Sequence, residues 1–430
     1  LARGQLLAVS CAEGTVGAAR RGAGSWGDTA DAVQVHPGWV AWERERAGLS
    51  LGEAAEKLAR KDSAKLAAGE KLRAIEGGER PLTEALLQKA ASAYRRPLIS
   101  FYLPHPPQRG ERGEDFRTIA GSRGSVRENA LLDALVRDIK ARQQLLREVL
   151  EDEDEELRLP FVGSATMKRG SQPVVSSIRA ALAVTVDEQR AAKDPAALFT
   201  LLRAAAEKTG IYVLLLGDLG SHHSDIGENI FRGFALADDV APFVVINDND
   251  AAPARAFTLM HELAHLWIGE SGISGPLGSV SENAIERFCN KVAGEFLLPR
   301  ETDPLLPDLN NADVAEVITA TAHIAQTWNV SQAVVTYRLA STGKISDELA
   351  AAVFQVFAAR WREQKQRTSK STGSGPSYYM VRRHRLGTSL LNVVRRALQG
   401  ETLTYTRAAK ILGVRPTSVD TLLQERSFAT

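Results

Sequence analysis

The chain has little cysteine, no long apolar run and almost no net charge, and each absence removes a class of protein. Two cysteines in 430 residues, Cys11 and Cys289, stand in unlike contexts and make no disulfide framework, which fits a reducing, cytoplasmic setting. No apolar stretch approaches the roughly 20 residues of a membrane-spanning helix. The opening LARGQLLAVSCAEG lacks the charged start and long apolar segment of a secretory signal. Residues 1–34, rich in Gly and Ala and beginning with Leu, read as a flexible extension or an overlong gene start. The formal charge of +1 conceals an imbalance, because 13 Lys and Arg against 4 Asp and Glu from Arg362 to Thr430 make that end +9 and leave −8 for the rest. Such a block suits an anionic partner, most simply nucleic acid, or is a solvated basic surface; composition weighs the two about equally.

Against this plain background, AFTLMHELAHLWIG stands out. His261-Glu262-Leu263-Ala264-His265 is an H-E-x-x-H pattern inside an apolar run. Residues four apart share a helix face, so His261 and His265 can direct both imidazoles at one metal ion, with Glu262 as general base. A helix apolar on every side is a buried helix. Two histidines and a glutamate in such a helix need partners, since a buried polar group left unpaired costs several kcal/mol by rough count. The bland alternative is a chance match, with the histidines hydrogen-bonded in a core.

A catalytic zinc site takes three protein ligands and leaves one position open. In SVSENAIERFCNKVAGEFLLPR, Ser279 and Glu282 fit a capping box that opens a helix, after which Glu286, Cys289, Asn290 and Ala293 fall along one face. Glu286 is preferred as third ligand over Cys289, because a thiol in this setting is more often a small buried residue. The metal expected is Zn2+, with Mn2+ or another divalent ion as substitutes. Upstream, Ile211–Leu216, Phe231–Leu236 and APFVVIND read as three buried strands, whose exposed edge suits a peptide added as a further strand. Tyr212, His222, His223 and His323 are the candidates for stabilising an oxyanion, each more often an ordinary packing or surface residue.

The order strand, Asn-Asp turn, FTLMHELAH and ERFCNKVAGEFLLP resembles the ImmA/IrrE family of metallopeptidases over roughly residues 205–300. The resemblance implies a zincin-like fold, metal ligands at His261, His265 and Glu286, Glu262 as catalytic base, and cleavage of a partner transcriptional repressor. Ala264 and Cys289 stand where that family often has Gly and Ala; neither is a ligand.

Around this centre the chain reads as an α+β, mostly helical protein: a zincin-like metallopeptidase domain with a small sheet (128–305), flanked by helix-turn-helix modules. Residues 36–103 are expected as a bundle of short helices, and WERERAGLSLGEAAEKL followed by KLRAIEGGERP resembles the Xre family of helix-turn-helix repressors. KDSAKLAAGE makes the turn before the expected reading helix about seven residues longer than that family's tight turn. That helix offers Lys71 and Arg73 for DNA, in a segment of only +3. Residues 104–127 are a Pro/Gly-rich linker. An amphipathic helix of more than 20 residues follows, spaced to pack on the peptidase or pair with another chain. The acidic run Glu151–Glu156 reads as solvated linker. Residues 306–366 are expected as helix, turn at Asn329–Ser331, helix; 367–377 as a Ser/Gly linker; and 378–430 as a basic helix-turn-helix-like segment. Arg382, Arg383, Arg385, Arg395, Arg396 and Arg415 are its candidate DNA contacts.

These residues point to a cytoplasmic metal-dependent endopeptidase that cleaves a protein substrate, an Xre-type repressor or antitoxin-like protein. The alternative is a DNA-binding regulator with a structural or vestigial metal site.

Overall fold

The computed structural model describes residues 35, 37–58, 65–103, 125–152, 158–220, 224–274, 284–368 and 377–424. The extension at 1–34, the Ser279–Glu282 capping box, His222, His223 and most of the two linkers and the acidic run lie outside the described residues.

Four helices open the described chain: α1 (Pro37–Arg46), α2 (Leu51–Leu58), α3 (Lys65–Glu76) and α4 (Glu84–Tyr94). They close on a core of their own built from Val40, Ala54, Leu72, Leu87, Tyr94 and Phe101. Ser50 and Glu53 form a reciprocal capping box at the start of α2, and Thr83 caps α4 through the Leu86 N–H. Helix α3 begins at Lys65, inside the KDSAKLAAGE segment expected as turn, so part of the supposed long turn is helix. The reason is local: Lys, Leu and Ala favour helix, and Ala68, Leu72 and Ile75 recur at spacings of four and three on the buried face. Ion pairs Arg44–Glu76 and Arg96–Glu43 tie α1 to α3 and to the end of α4.

The remaining helices are α5 (Val126–Asp152), α6 (Ser171–Leu182), α7 (Val186–Ala191), α8 (Pro195–Lys208), α9 (Arg255–Ile268), α10 (Ala284–Leu297), α11 (Val314–Trp328), α12 (Gln332–Ser341), α13 (Asp347–Thr368), α14 (Tyr378–Leu386), α15 (Thr388–Gln399), α16 (Tyr405–Leu412) and α17 (Val419–Leu423). Among them runs a mixed sheet of β1 (Tyr212–Leu215), β2 (Gly233–Leu236), β3 (Phe243–Ile246) and β4 (Gly272–Ser274), in the order β1-β3-β2-β4. Strands β1 and β3 pair parallel; β2 pairs antiparallel with β3 and with β4. Every strand residue is buried, as a near-continuous apolar run requires when both sheet faces are covered.

Two cores meet at the sheet. Val213, Leu215, Ala235, Val244 and Ile246 face α6, α8, α9 and α10, and this core runs on through Val317, Val335, Leu339 and Val353 of α11–α13. The boundary expected between 305 and 306 therefore does not separate two cores. Leu214, Phe234, Phe243 and Val245 face the other way, onto Leu132, Leu135, Ile139, Leu146 and Val149 of α5. Leu386, Leu390, Val394, Ile411 and Leu422 of α14–α17 complete that second core. The structure thus corrects the separate carboxyl-terminal module: residues 378–424 cover one face of the sheet. No described helix is long and apolar enough to cross a membrane.

Candidate metal centre

Helix α9 is buried from Ala256 to Trp267 and stops where Gly269, at φ 82°, turns its N–H back onto the His265 and Leu266 carbonyls. His261 and His265, each 2 % exposed, present their Nε2 atoms 3.1 Å apart on one face. Helix α10 packs along α9 and sets Glu286 across from them. Its Oε2 lies 3.3 Å from His261 Nε2 and its Oε1 3.1 Å from His265 Nε2. Donors bound tetrahedrally at about 2.0–2.1 Å from zinc stand about 3.3 Å from one another, so this spacing and donor set fit a zinc ion with one open position. One turn beyond Glu286, Asn290 Oδ1 accepts a hydrogen bond from His261 Nδ1 at 2.9 Å. That bond keeps the proton on Nδ1 and leaves the Nε2 lone pair for a metal.

Glu262 is fully buried beside this group. Ser274 of β4 donates its hydroxyl to Glu262 Oε1 at 2.5 Å, whereas Oε2 has no protein partner. Two glycines explain how strands approach so closely. A Cβ on Gly233 would lie 2.8 Å from Glu262 Oε1, and one on Gly272 would lie 2.8 Å from the His265 ring. Glycine lets the backbone come near without a side chain in the way.

The charges are coupled. Burial raises the Glu286 carboxyl, but attraction to His261 and hydrogen bonds with both imidazoles outweigh it and hold that group well below the usual carboxylate range. Burial opposes protonation of His261, yet the Glu286 charge wins and raises it. Glu262 is raised, with burial the dominant cause and the histidines opposing. The Cys289 thiol, fully buried, is pushed well up by the same exclusion of water. Among the described residues, the three donors that could share an ion are His261, His265 and Glu286.

The other expected residues lie elsewhere. Tyr212 packs against Phe243 in the second core, on the sheet face away from α9, and His323 is exposed on α11. Lys71 and Arg73 are exposed on α3. The structure corrects the expectation of a free basic surface at the carboxyl-terminal end. Arg382 donates from inside the protein to the Leu412 and Gly413 carbonyls, and Arg383 to those of Thr421, Leu422 and Gln424. Arg395 reaches Leu423 O, and Arg385 is paired with Asp218 and Asp248. Helix ends leave carbonyls unsatisfied, and these guanidiniums fill that need instead of facing solvent. Arg396 and Arg415 are exposed. Of the residues the sequence did not single out, Ser274 carries no signal in a short Gly-Ile-Ser stretch. Asn290 does, standing four residues after Glu286 on the same helical face.

The arrangement of helix, paired imidazoles, carboxylate and adjacent free glutamate oxygen defines an H-E-x-x-H metallopeptidase centre. Consistent with it, residues 206–340 match the family model of the IrrE N-terminal-like domain, peptidase family M78. The match takes in the sheet, α9, α10, α11 and most of α12. Neither a curated protein nor a solved structure matches the chain.

Proposed function

We propose that the protein is a metal-dependent endopeptidase that cleaves a protein substrate of repressor or antitoxin type. The observation that carries the reading is Glu262 Oε2, a buried carboxylate oxygen without a protein partner beside three convergent metal donors. A divalent ion in such a site supplies Lewis acidity and brings the pKa of a water toward about 7. The residues of the chain do the rest. Glu262 Oε2 accepts the proton of the attacking water, and Oε1 stays held by Ser274. Glu262 then returns the proton to the leaving amine. Asn290 keeps His261 in the tautomer the site needs. Strand β4 ends the sheet order, and its Ser274 touches Glu262, so a substrate segment laid along β4 as an extra strand runs past the reacting groups. A structural zinc site takes four protein ligands; the group here has three among the described residues, which favours catalysis over a purely structural metal.

The test is cleavage of a purified Xre-type helix-turn-helix repressor by protein stripped with a chelator and then reloaded with zinc or manganese. Loss on stripping and recovery on reloading is the expected result. Cleavage that continues in the stripped protein counts against the reading.

A further inference from the structure

A second group of charges, of which Arg142 and Arg382 are buried, Arg137 half-buried and Arg95 exposed, lies on the far side of the sheet from the metal donors. The end of α4, the middle of α5, the stretch after β1, α14 and the α16 turn border a half-open cavity of about 470 Å³. Four arginines line it: Arg95, Arg137, Arg142 and Arg382. A neighbouring cavity of about 360 Å³ shares Asp218 and Arg382 with it and adds Arg385 and Arg415. The two lining carboxylates of the first cavity are already engaged, Asp138 by Arg142 Nη2 and Asp218 by Arg385. Four lining guanidiniums thus face two lining carboxylates, with Asp133 and Glu43 adding negative charge near Arg137.

Several donors there have no protein partner. Arg142 is 7 % exposed, and its Nε and Nη1 are buried and unpaired. Arg382 is 6 % exposed, with Nη2 on two carbonyls and Nε unpaired. Buried guanidinium donors are costly when unmatched, which marks them as placed for an acceptor. Arg95 ends α4 in the left-handed conformation, φ 54°, where Gly or Asn is usual, so a strained position carries a charged side chain into the lining. Gly413 makes room for Arg142, because a Cβ at that position would lie 2.1 Å from its Nη2. Burial, reinforced by repulsion from Arg96 for Arg137 and from Arg142 for Arg382, pulls both guanidiniums down to about 10. A bound dianion relieves that repulsion.

We propose that this cavity binds a phosphorylated small molecule, its phosphate dianion received by Arg95, Arg137, Arg142 and Arg382. Arginine matches phosphate because its planar fork gives paired, charge-assisted hydrogen bonds. The joined cavities exceed the size of phosphate alone and suit a ligand of nucleotide size. The site is independent of the metal centre.

Calorimetric titration of the full-length protein with inorganic phosphate, and separately with adenosine monophosphate, tests it. Saturable binding near one site per chain is expected for both probes, tighter for the nucleotide. Arg137→Gln and Arg95→Asn each weaken it at least about tenfold, the scale of one lost charge-assisted bond. Asn tolerates the left-handed backbone, so Arg95→Asn remains informative should Arg137→Gln unfold. Arg169→Gln, a distant exposed charge, and Glu262→Gln leave binding unchanged. Equal affinity for both probes assigns the site to free phosphate and overturns the nucleotide-sized ligand. No saturation by either probe at millimolar concentration, or binding that survives both cavity variants, overturns the proposal. So does a DNA duplex that displaces phosphate from the wild-type protein and not from the variants, since that gives the arginines to nucleic acid.

Discussion

The two faces of the sheet bury charge in opposite ways. On the α9 face, His261, His265 and Glu286 turn their donor atoms toward one point, and Glu262 keeps one oxygen unpaired beside it. On the other face, Arg383 and Arg395 direct donors at backbone carbonyls of α17. Both sets are conspicuous in the sequence, one as a motif and the other as a run of positive charge. The difference is where the partner comes from. Carbonyls at a helix end are supplied by the fold, so those arginines are mainly structural; a convergent set of donors with nothing between them calls for something from outside.

The sharpest way to break this comparison is to remove the segment regarded as structural. A chain ending at Gly375 strips Leu386, Leu390, Val394, Ile411 and Leu422 from the second core, and it should lose cooperative unfolding and bind a hydrophobic dye. A truncated protein with an unchanged thermal transition would show the carboxyl-terminal helices to be an appendage after all.

Smaller perturbations sharpen the other side. Glu286→Ala should weaken metal affinity by more than about a hundredfold, beyond the usual effect of an outer partner, whereas Cys289→Ala should keep near-normal affinity. Competition titration with a metal indicator separates the two, and the reverse order would transfer the third ligand to the thiol. Asn290→Ala should cost about 10–100-fold in the same titration, because it releases the His261 tautomer without removing a donor. An affinity equal to that of the parent would make Asn290 a bystander.

The smallest effect concerns a purely structural charge. Burial opposes the charge on Asp238, but N–H donors from Ala241 and Val240, together with Arg147, overcome it and lower its carboxyl from the ordinary value. A depressed folded-state pKa stabilises the protein above the unfolded value, near 4, and that contribution disappears as pH falls through the folded value. Asp238→Asn should therefore destabilise the protein by about 1 kcal/mol at neutral pH, with the gap to the parent closing under acid. Urea unfolding at several pH values measures it, and a constant gap would deny the ionic origin.

The centre was legible because spacing is geometry: four residues on a helix return to one face, which placed His261 and His265 together, and the same rule carried Glu286 to Asn290. The three longer strands were legible as apolar runs, and the α11–α12 turn through Asn329, which adopts φ 54°, and Ser331, which caps α12. Strand β4 was not, since three residues reading Gly-Ile-Ser are too short to alternate, and its Ser274 contact with Glu262 depends on a pairing far along the chain. The carbonyl partners of Arg382, Arg383 and Arg395 are not legible for a related reason. Counting charge says how much there is, not whether a helix end lies within reach. The start of α3 departs from the Xre-like pattern, whose turn runs to Lys71, because the helix-forming Lys-Leu-Ala-Ala carries the helix back to Lys65.

The central claim, that Glu262 performs chemistry at a site whose metal is held by others, is tested most directly by comparing Glu262→Gln with the parent in a cleavage assay run beside metal analysis. An amide cannot take the proton of water, so the variant should hold about one divalent ion per chain, melt at the parent temperature and cleave about 10²–10⁴-fold more slowly. Cleavage at the parental rate by a metal-loaded Glu262→Gln protein would contradict the account.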